Sequence, residues 1–366
     1  MSSPEPPREA AEELSPGPVG DFWSESGTTP DRVDDALRKL LRERHADDEG
    51  LAPARVLNLV VIVDRDWKGE VSNRLAKVGR FHASRTVLCA VEDGRTKLDA
   101  WAAISADEPH EGISVMHEQV EIDLGPEHLA RLDTIIDPVI VSELPTVLWS
   151  PHGHEDAVES VRRMVDVMLL DSDDGSEPGE ALERAGDLSQ GAYIVDLAWL
   201  RTTPWRERLA SSFDPPSRRA ALRELGGITI RHRASSRSSA LLLAGWLTSR
   251  LGWKAHRLEA DGAQRLQGAA DAEHGEVRVE LEEAAQDVPG LAGVTVSAEG
   301  FTLSLDRQRG GLRACEQRDG QPERVWKVLG ASRGEGGILG EGVRQAHLRD
   351  PTYGPALQAA RALCAA

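Results

Sequence analysis

The sequence predicts a two-domain α/β protein, in which a mixed α/β sheet domain is followed by an α+β domain. The chain has 366 residues, and a domain has about 150 residues as a rough average. Hydrophobic residues make up 40% and charged residues 28%, which is typical of a chain that buries a core. Strand-like apolar runs alternate with helical patterns in the first half and follow one another more directly in the second.

Composition along the chain predicts where these domains begin and end. Residues 1–30 are rich in Pro, Glu, Ser and Gly without an apolar period, which predicts a disordered tail. The first domain is expected at 31–170 and the second at 191–366. Between them, residues 171–190 form an acidic, Gly-containing stretch that we interpret as a linker.

The first domain begins with a helix that Asp31 can cap. A strand at Arg55–Val63 is dense in β-branched residues, and a helix at Glu70–Phe81 and a strand at Arg85–Val91 follow it, which indicates a parallel βαβ crossover. The other predicted elements are strands at Leu98–Ile104, Val115–Leu124 and Thr146–Trp149 and helical segments at Pro126–Ile136 and Glu155–Met168.

The second domain begins with helices around Trp199 and Trp205. Pro204 is expected to end one helix and begin the next, because proline breaks a helix interior but fits its first turn. The later elements are expected to be a helix at Ser239–Leu251, a closing helix from Ile338, and strands at Gly227–Arg233, Ala255–Glu259, Glu276–Leu281, Val294–Ala298, Phe301–Asp306 and Arg324–Leu329.

Charge and cysteine content exclude several classes of protein. The 43 Lys and Arg residues against 61 Asp and Glu give a net charge of −18, which disfavours binding to nucleic acid or to an anionic membrane. The amino terminus does not resemble a secretory signal. Cys89, Cys315 and Cys364 match no disulfide framework or zinc-site spacing. We therefore expect a cytoplasmic location.

Motifs for enzymatic chemistry are largely missing from the sequence. The glycine-rich stretch Gly334–Gly342 does not fit the dinucleotide pattern, since leucine stands at position 339 where the third glycine is required, and we interpret it as a flexible loop. We find no P-loop and no nucleophile elbow. No cofactor is therefore expected.

A histidine-rich loop offers one metal-binding alternative. His152, His154, Glu155 and Asp156 follow the strand that ends at Trp149, and imidazole and carboxylate groups bind divalent metals. A metal hydrolase is the least favoured hypothesis, because a simpler explanation accounts for the same residues. They can form a polar loop whose acids lie at the amino end of a helix and interact favourably with its dipole.

The segment Asp196–Asp214, which we call the Trp/Arg segment, is a candidate partner interface. It interleaves two tryptophans with three arginines, the residue types most enriched in binding hot spots. The candidate residues are Trp199, Arg201, Trp205, Arg206 and Arg208. The alternative, in which the indoles belong to the core and the arginines are solvated, is equally open.

A second basic segment, Arg231–Ser239, precedes an apolar helix. Free backbone N–H groups at a helix amino end, together with nearby arginines and hydroxyl groups, could hold a sugar phosphate or a partner's carboxylates. The candidate anion-site residues are Arg231, Arg233, Arg237 and Ser238. An exposed strand end with a serine cap is the simpler interpretation.

Several segments together resemble the glucose-6-phosphate dehydrogenase assembly protein OpcA family. In chain order they read SRTVLCAV, LPTVLWSP leading into HGHEDAVESV, DLAWLRTTPWRERL, SSALLLAGWLTSRLGW and ILGEGVRQAHLRDPTYGPAL. The resemblance covers about residues 50–366, and the DLAW…TPWR element is its most specific part.

The resemblance implies a non-catalytic partner of glucose-6-phosphate dehydrogenase. Members of the family bind this enzyme, stabilise its active oligomer and raise its response to substrate at the entry to the oxidative pentose phosphate pathway. Photosynthetic members are associated with a thiol switch, but the three cysteines of this chain match no such switch. A sugar-phosphate-binding protein or enzyme that uses Arg231–Ser239 is the alternative.

Overall fold

The computed structural model describes residues 21–47, 55–79, 84–106, 116–175, 177–329 and 334–364. The chain divides into two compact units, which we call unit 1, ending at Leu169, and unit 2, beginning at Leu170. Each unit combines helices with strands, so the predicted mixed α/β class is confirmed.

Unit 1 is built on a mainly parallel sheet. Its strands are β1 (Asp21–Ser26), β2 (Leu57–Asp64), β3 (Ser84–Val91), β4 (Asp99–Ala106), β5 (Met116–Leu124), β6 (Thr146–Trp149) and β7 (Val167–Leu170). Its helices are α1 (Pro30–Asp47), α2 (Lys68–Gly79), α3 (Leu132–Ile136) and α4 (Glu155–Val161). The strand order is β1-β4-β5-β3-β2-β6-β7, with β1 and β4 antiparallel to their neighbours.

The centre of this sheet follows directly from the sequence pattern. The apolar run of β2 is buried, because neighbouring parallel strands on both sides place it in the middle of the sheet. Since β3 pairs parallel with β2 and α2 lies between them in the chain, the predicted βαβ crossover is confirmed.

Two expectations for unit 1 are wrong. Residues 21–26 of the predicted tail form β1, because they pair with β4 in a contact that local composition cannot reveal; residues 1–20 lie outside the described residues. The predicted helix Glu155–Met168 ends earlier, since α4 gives way to a short 3₁₀ helix and then to β7.

Unit 2 has a mainly antiparallel sheet. Its helices are α5 (Pro178–Leu188), α6 (Leu197–Ser212), α7 (Pro216–Arg223), α8 (Arg237–Leu251), α9 (Gly334–Gln345) and α10 (Tyr353–Cys364). Its strands are β8 (Tyr193–Asp196), β9 (Leu225–His232), β10 (Lys254–Ala255), β11 (Glu259–Ala260), β12 (Arg265–Ala272), β13 (Gly275–Glu283), β14 (Leu291–Ala298), β15 (Phe301–Gln308), β16 (Gly311–Arg318) and β17 (Arg324–Leu329). The sheet order is β10-β12-β13-β9-β14-β15-β16-β17, and β11 pairs with β12.

The core of unit 2 lies where α8 packs against the sheet and against α10. Burial alternates along β9 and β15, so one face of each strand points into the core. Gly245 lets α8 approach α10 closely, because a Cβ at this position would lie 2.2 Å from the carbonyl oxygen of Ala356. The residues that the sequence marks as an apolar helix therefore form a tightly packed helix pair.

Unit 2 also corrects several sequence expectations. The predicted acidic linker 171–190 contains α5, whose Leu182 and Ala185 are buried, so an apolar stripe within the acidic composition makes a packed helix. The predicted loop Gly334–Gly342 lies in α9. The predicted strand Ala255–Glu259 is replaced by the short strands β10 and β11. Across the described residues, no helix has both the length and the apolar character needed to cross a bilayer.

Candidate functional site

The Trp/Arg segment forms one continuous helix. Asp196 caps α6, since its carboxylate accepts a hydrogen bond from the backbone N–H of Ala198 at 2.9 Å. Pro204 lies inside α6, so the predicted break into two helices is wrong. Burial of Trp199 and Trp205 on the same helix accounts for this, because packing outweighs the one backbone hydrogen bond that proline removes.

Both tryptophans of this segment lie in the core of unit 2. Trp199 is 2% exposed and Trp205 1% exposed. The indole N–H of Trp199 donates to Asp350 at 2.9 Å, and the guanidinium of Arg206 lies 3.6 Å from the Trp199 ring centroid. Arg206 also pairs with Asp350, and burial lowers its pKa to about 10. The indoles therefore hold α6 in place through contacts within the chain.

The other two arginines of the segment differ in their surroundings. Arg201 makes two hydrogen bonds to the Asp171 carboxylate at 2.7 and 2.6 Å and lies 3.8 Å from a carboxylate oxygen of Asp173. Arg208 is half-buried on the same helix. The described contacts of Trp199, Arg201 and Arg206 are intramolecular. Direct contact of this segment with a partner stays a prediction.

The predicted anion site has its donors engaged by groups of the chain. Arg231 donates to Asp306 at 2.8 Å across Gly293, where a Cβ would lie 2.6 Å from both side chains. Arg237 pairs with Glu283 at 2.5 Å, and Arg233 donates to the carbonyl of Asp287 at 3.3 Å. The hydroxyl of Ser238 is buried and donates to the Ser172 carbonyl at 2.6 Å.

The amino end of α8 is likewise occupied by a carboxyl group of the chain. The backbone N–H of Ser239 donates to Asp173 at 3.0 Å, and the Ser239 hydroxyl lies 2.6 Å from the other oxygen of the same carboxyl. Binding of an external anion at Arg231–Ser239 stays a prediction, and it would require some of these contacts to open.

A buried acidic cluster, made of Asp171, Asp173 and Asp196, joins these two segments. Asp196 accepts from the Ser172 backbone N–H and hydroxyl, from Ala198 and from the Tyr353 hydroxyl. Burial and the charge of Asp171 raise the pKa of Asp196 to about 6 and that of Asp173 to about 7. We missed this cluster in the sequence, although acids directly after the apolar run Val167–Leu170 are a signal for it.

The histidine-rich loop faces an acid of a neighbouring strand. Asp64 ends β2, and its carboxylate lies 3.0 Å from His154 Nε2 and 3.6 Å from His152 Nδ1. His154 has a left-handed backbone, with φ of 55°. Burial lowers the pKa of His152, against the opposing charge of Asp64. The described residues hold no group of three or more His, Cys, Asp or Glu side chains arranged for a metal ion.

The cysteines are poor nucleophiles in this fold. Burial raises the pKa of Cys89 to about 12 and that of Cys364 to about 11. Cys315 donates from its sulfur to Glu323, which raises the pKa of this thiol as well. Since the thiolate is the reactive form, all three thiols are expected to react slowly in the folded chain.

The chain is thus a mixed α/β protein of two units. The two tryptophans of the Trp/Arg segment belong to the core of unit 2. Residues 76–187 match the family described as glucose-6-phosphate dehydrogenase subunit N-terminal domain, and residues 192–357 match the one described as the C-terminal domain of that subunit. The chain belongs to the OpcA family.

Three cyanobacterial relatives, each provisionally named OxPP cycle protein OpcA, are similar to this chain. The Synechococcus elongatus protein is 29% identical over 190 residues, or 51% of this chain and 41% of the relative. The Synechocystis protein is 28% identical over 232 residues, or 62% and 49%. The Nostoc punctiforme protein is 34% identical over 130 residues, or 34% and 28%. The matched part of this chain thus spans less than half of each relative.

Two solved structures with weak similarity to this chain are named as an oxidoreductase and a dehydrogenase. An aldose-aldose oxidoreductase from Caulobacter crescentus, complexed with glycerol, is 11% identical with a TM-score of 0.47, covering 84% of this chain and 95% of its own. Levoglucosan dehydrogenase with NADH and L-sorbose is 12% identical with a TM-score of 0.46, covering 84% and 94%. Likeness at this level does not establish a shared fold or a shared activity.

Proposed function

We propose that this chain is a non-catalytic partner of glucose-6-phosphate dehydrogenase, which it binds and activates by stabilising the active oligomer. Its place would be the cytoplasm, at the entry to the oxidative pentose phosphate pathway. The observation that carries the proposal is the pair of consecutive family matches, which follow one another in the expected order along most of the chain.

The turn after β2, where the βαβ crossover begins, supports a binding role over a dehydrogenase role. In dinucleotide-binding sheets this turn is glycine-rich and cradles a pyrophosphate. Here β2 ends at Asp64, and a 3₁₀ helix at Arg65–Trp67 follows it. The residues from Asp64 to Lys68 include no glycine, so this turn lacks the residues that let a backbone approach a pyrophosphate closely.

Activation by such a protein requires unequal affinity for two states of its partner. A ligand that binds both states with equal affinity does not shift the equilibrium between them, however tightly it binds. We therefore propose that the chain binds the assembled, substrate-competent dehydrogenase more tightly than the less active form.

The test is to titrate the host's own purified dehydrogenase with this chain. We expect a lower KM for glucose 6-phosphate, a higher kcat, or both, together with a larger complex in sedimentation velocity. If activity and oligomer size both stay constant over a tenfold excess of the chain, the proposal is wrong.

Burial of the two indoles determines how the Trp/Arg segment must be probed. Trp205→Ala would open a cavity in unit 2 and lower activation through misfolding, so its effect cannot show contact. Arg208→Glu changes a half-buried residue of the same helix and should weaken binding if the segment touches the dehydrogenase. Arg309→Glu, in the exposed β15–β16 turn, is the matched charge-reversal control.

Calorimetry with glucose 6-phosphate and the chain alone distinguishes the alternative function. Micromolar binding, lost in Arg231→Ala, would favour a sugar-phosphate-binding protein at Arg231–Ser239. Arg231 already pairs with Asp306, which is why the partner role is the better supported of the two.

A further inference from the structure

The hydroxyl of Ser239 has more acceptors than protons. It lies 2.6 Å from Asp173 Oδ2 and 3.1 Å from the carbonyl oxygen of Ala198, and both are hydrogen-bond distances. A serine hydroxyl carries one proton and can donate to one of these oxygens. An ionised carboxylate only accepts, so it would leave one of the two contacts without a proton.

A proton on Asp173 resolves this conflict. The carboxylic acid would donate to the Ser239 oxygen, which in turn would donate to the Ala198 carbonyl, while the other oxygen of Asp173 still accepts from the Ser239 backbone N–H. By contrast, Asp196 receives four hydrogen bonds from Ser172, Ala198 and Tyr353, as suits a charged acceptor. The hydrogen bonds thus distinguish the two acids.

The charge balance around Asp173 points the same way. The side chains of Asp171 and Asp173 are 5% and 8% exposed, and the guanidinium of Arg201 on α6 faces both of them. Arg201 donates two short hydrogen bonds to Asp171. Among the described residues, the titratable and charged groups near the site include Asp171 and Asp174 on the same segment, Asp196 and Arg201 at α6, and Tyr353 on α10. Arg237 on α8 is also near and pairs with Glu283.

We infer that Asp173 is a neutral carboxylic acid in the folded chain below neutral pH, and that its proton completes a hydrogen-bonded clasp between residues 171–174, the first turn of α6 and the amino end of α8. The inference is independent of the proposed function, since the clasp belongs to unit 2 by itself. Loss of the proton would put a second negative charge beside Asp171 and leave a hydrogen bond at Ser239 unmade.

The direction of the pH effect follows from linkage. Burial and the charge of Asp171 raise the pKa of Asp173 from 3.8 to about 7, so the folded chain holds a proton that the unfolded chain releases. Stability from this group is complete below pH 3.8 and is lost as pH rises toward 7. The unfolding equilibrium constant should rise by up to about tenfold per pH unit in this window.

The experiment compares the same isosteric change at two nearby positions. Asp173→Asn preserves the donor to Ser239 and the acceptor for its N–H, so we expect unchanged or higher stability at pH 7.5. Asp171→Asn removes the charge that faces Arg201, so the free energy of unfolding of this variant should be clearly lower than that of the wild type. Urea unfolding of the full chain between pH 5.5 and 8 measures both, and Asp214→Asn at an exposed position is the control.

Three outcomes would overturn the inference. Asp173→Asn could be as destabilised as Asp171→Asn, or it could retain the full pH dependence of the wild type between pH 6 and 7, above the pKa of Asp196. If Asp173→Asn does not fold, the wild type alone decides, because its free energy of unfolding in urea must fall from pH 5.5 to 7. A free energy of unfolding that stays constant over this range would contradict the clasp.

Discussion

The two units bury charge with opposite ratios of acid to base. In unit 1, Glu118 lies between Arg55 and Arg85, and its carboxylate is 2.6 Å from Arg85 Nε. In unit 2, Arg201 faces Asp171 and Asp173. The first cluster balances its acid with nearby cations, whereas the second relies on N–H and O–H donors and, by our inference, on a proton. The second cluster is therefore expected to respond to pH near neutrality.

The strongest test of this difference is Glu118→Gln in unit 1. The side chains of Glu118 and Arg85 are 1% and 7% exposed, so the variant leaves a buried guanidinium without its countercharge. We expect a loss of about 3–5 kcal/mol in the free energy of unfolding, measured in urea. Glu70→Gln, at an exposed pair with Arg74, should cost less than about 1 kcal/mol. Equal losses would remove the contrast between buried and exposed pairs.

A second test asks whether the close packing of α8 against α10 contributes to the stability of unit 2. In Gly245→Ala the new methyl group would meet Ala356 O at 2.2 Å and Ala360 N at 2.7 Å. Overpacking against backbone costs about 1–3 kcal/mol, so the thermal midpoint should fall. Gly354→Ala, on α10 with no atom within 4 Å of its Cβ, should be neutral or stabilising. A neutral Gly245→Ala would show that α8 and α10 separate easily.

The smallest effect is expected from Tyr353→Phe, which removes one donor from the acidic cluster. The Tyr353 hydroxyl lies 3.1 Å from Asp196 Oδ2, and a hydrogen bond of this kind contributes about 1 kcal/mol. The loss should be larger at pH 8 than at pH 5, because Asp196 has a pKa of about 6 and is charged at the higher pH. A loss that does not change with pH would weaken the assignment of Asp196 as an ionised acceptor.

The fold was more predictable from the sequence than the site. Apolar β-branched runs identified β2 and β3, since a continuous apolar run is typical of a strand buried on both faces, whichever strands it pairs with. The strand β1 and the continuity of α6 through Pro204 depend on tertiary pairing and packing, which local patterns do not contain.

For the candidate site, the sequence predicted which residue types lie there, but it did not predict which side chains they pair with. Arg231 and Arg237 are basic and lie near a helix amino end as expected, but their carboxylate partners, Asp306 and Glu283, are 75 and 46 residues away in the chain. The acidic cluster was hidden for the same reason, because an acidic composition is typical of a solvated linker and does not show that Asp173 is buried.

Gly293 affects how β14 aligns with β9 and β15, the two strands that pair with it. The missing side chain leaves a gap over which Arg231 on β9 reaches Asp306 on β15, so two strands that do not hydrogen-bond to each other are tied across a third. A slip of β14 by one residue would bring Ala292 or Val294 into that gap and close it. The glycine thus disfavours a one-residue slip of β14 between β9 and β15.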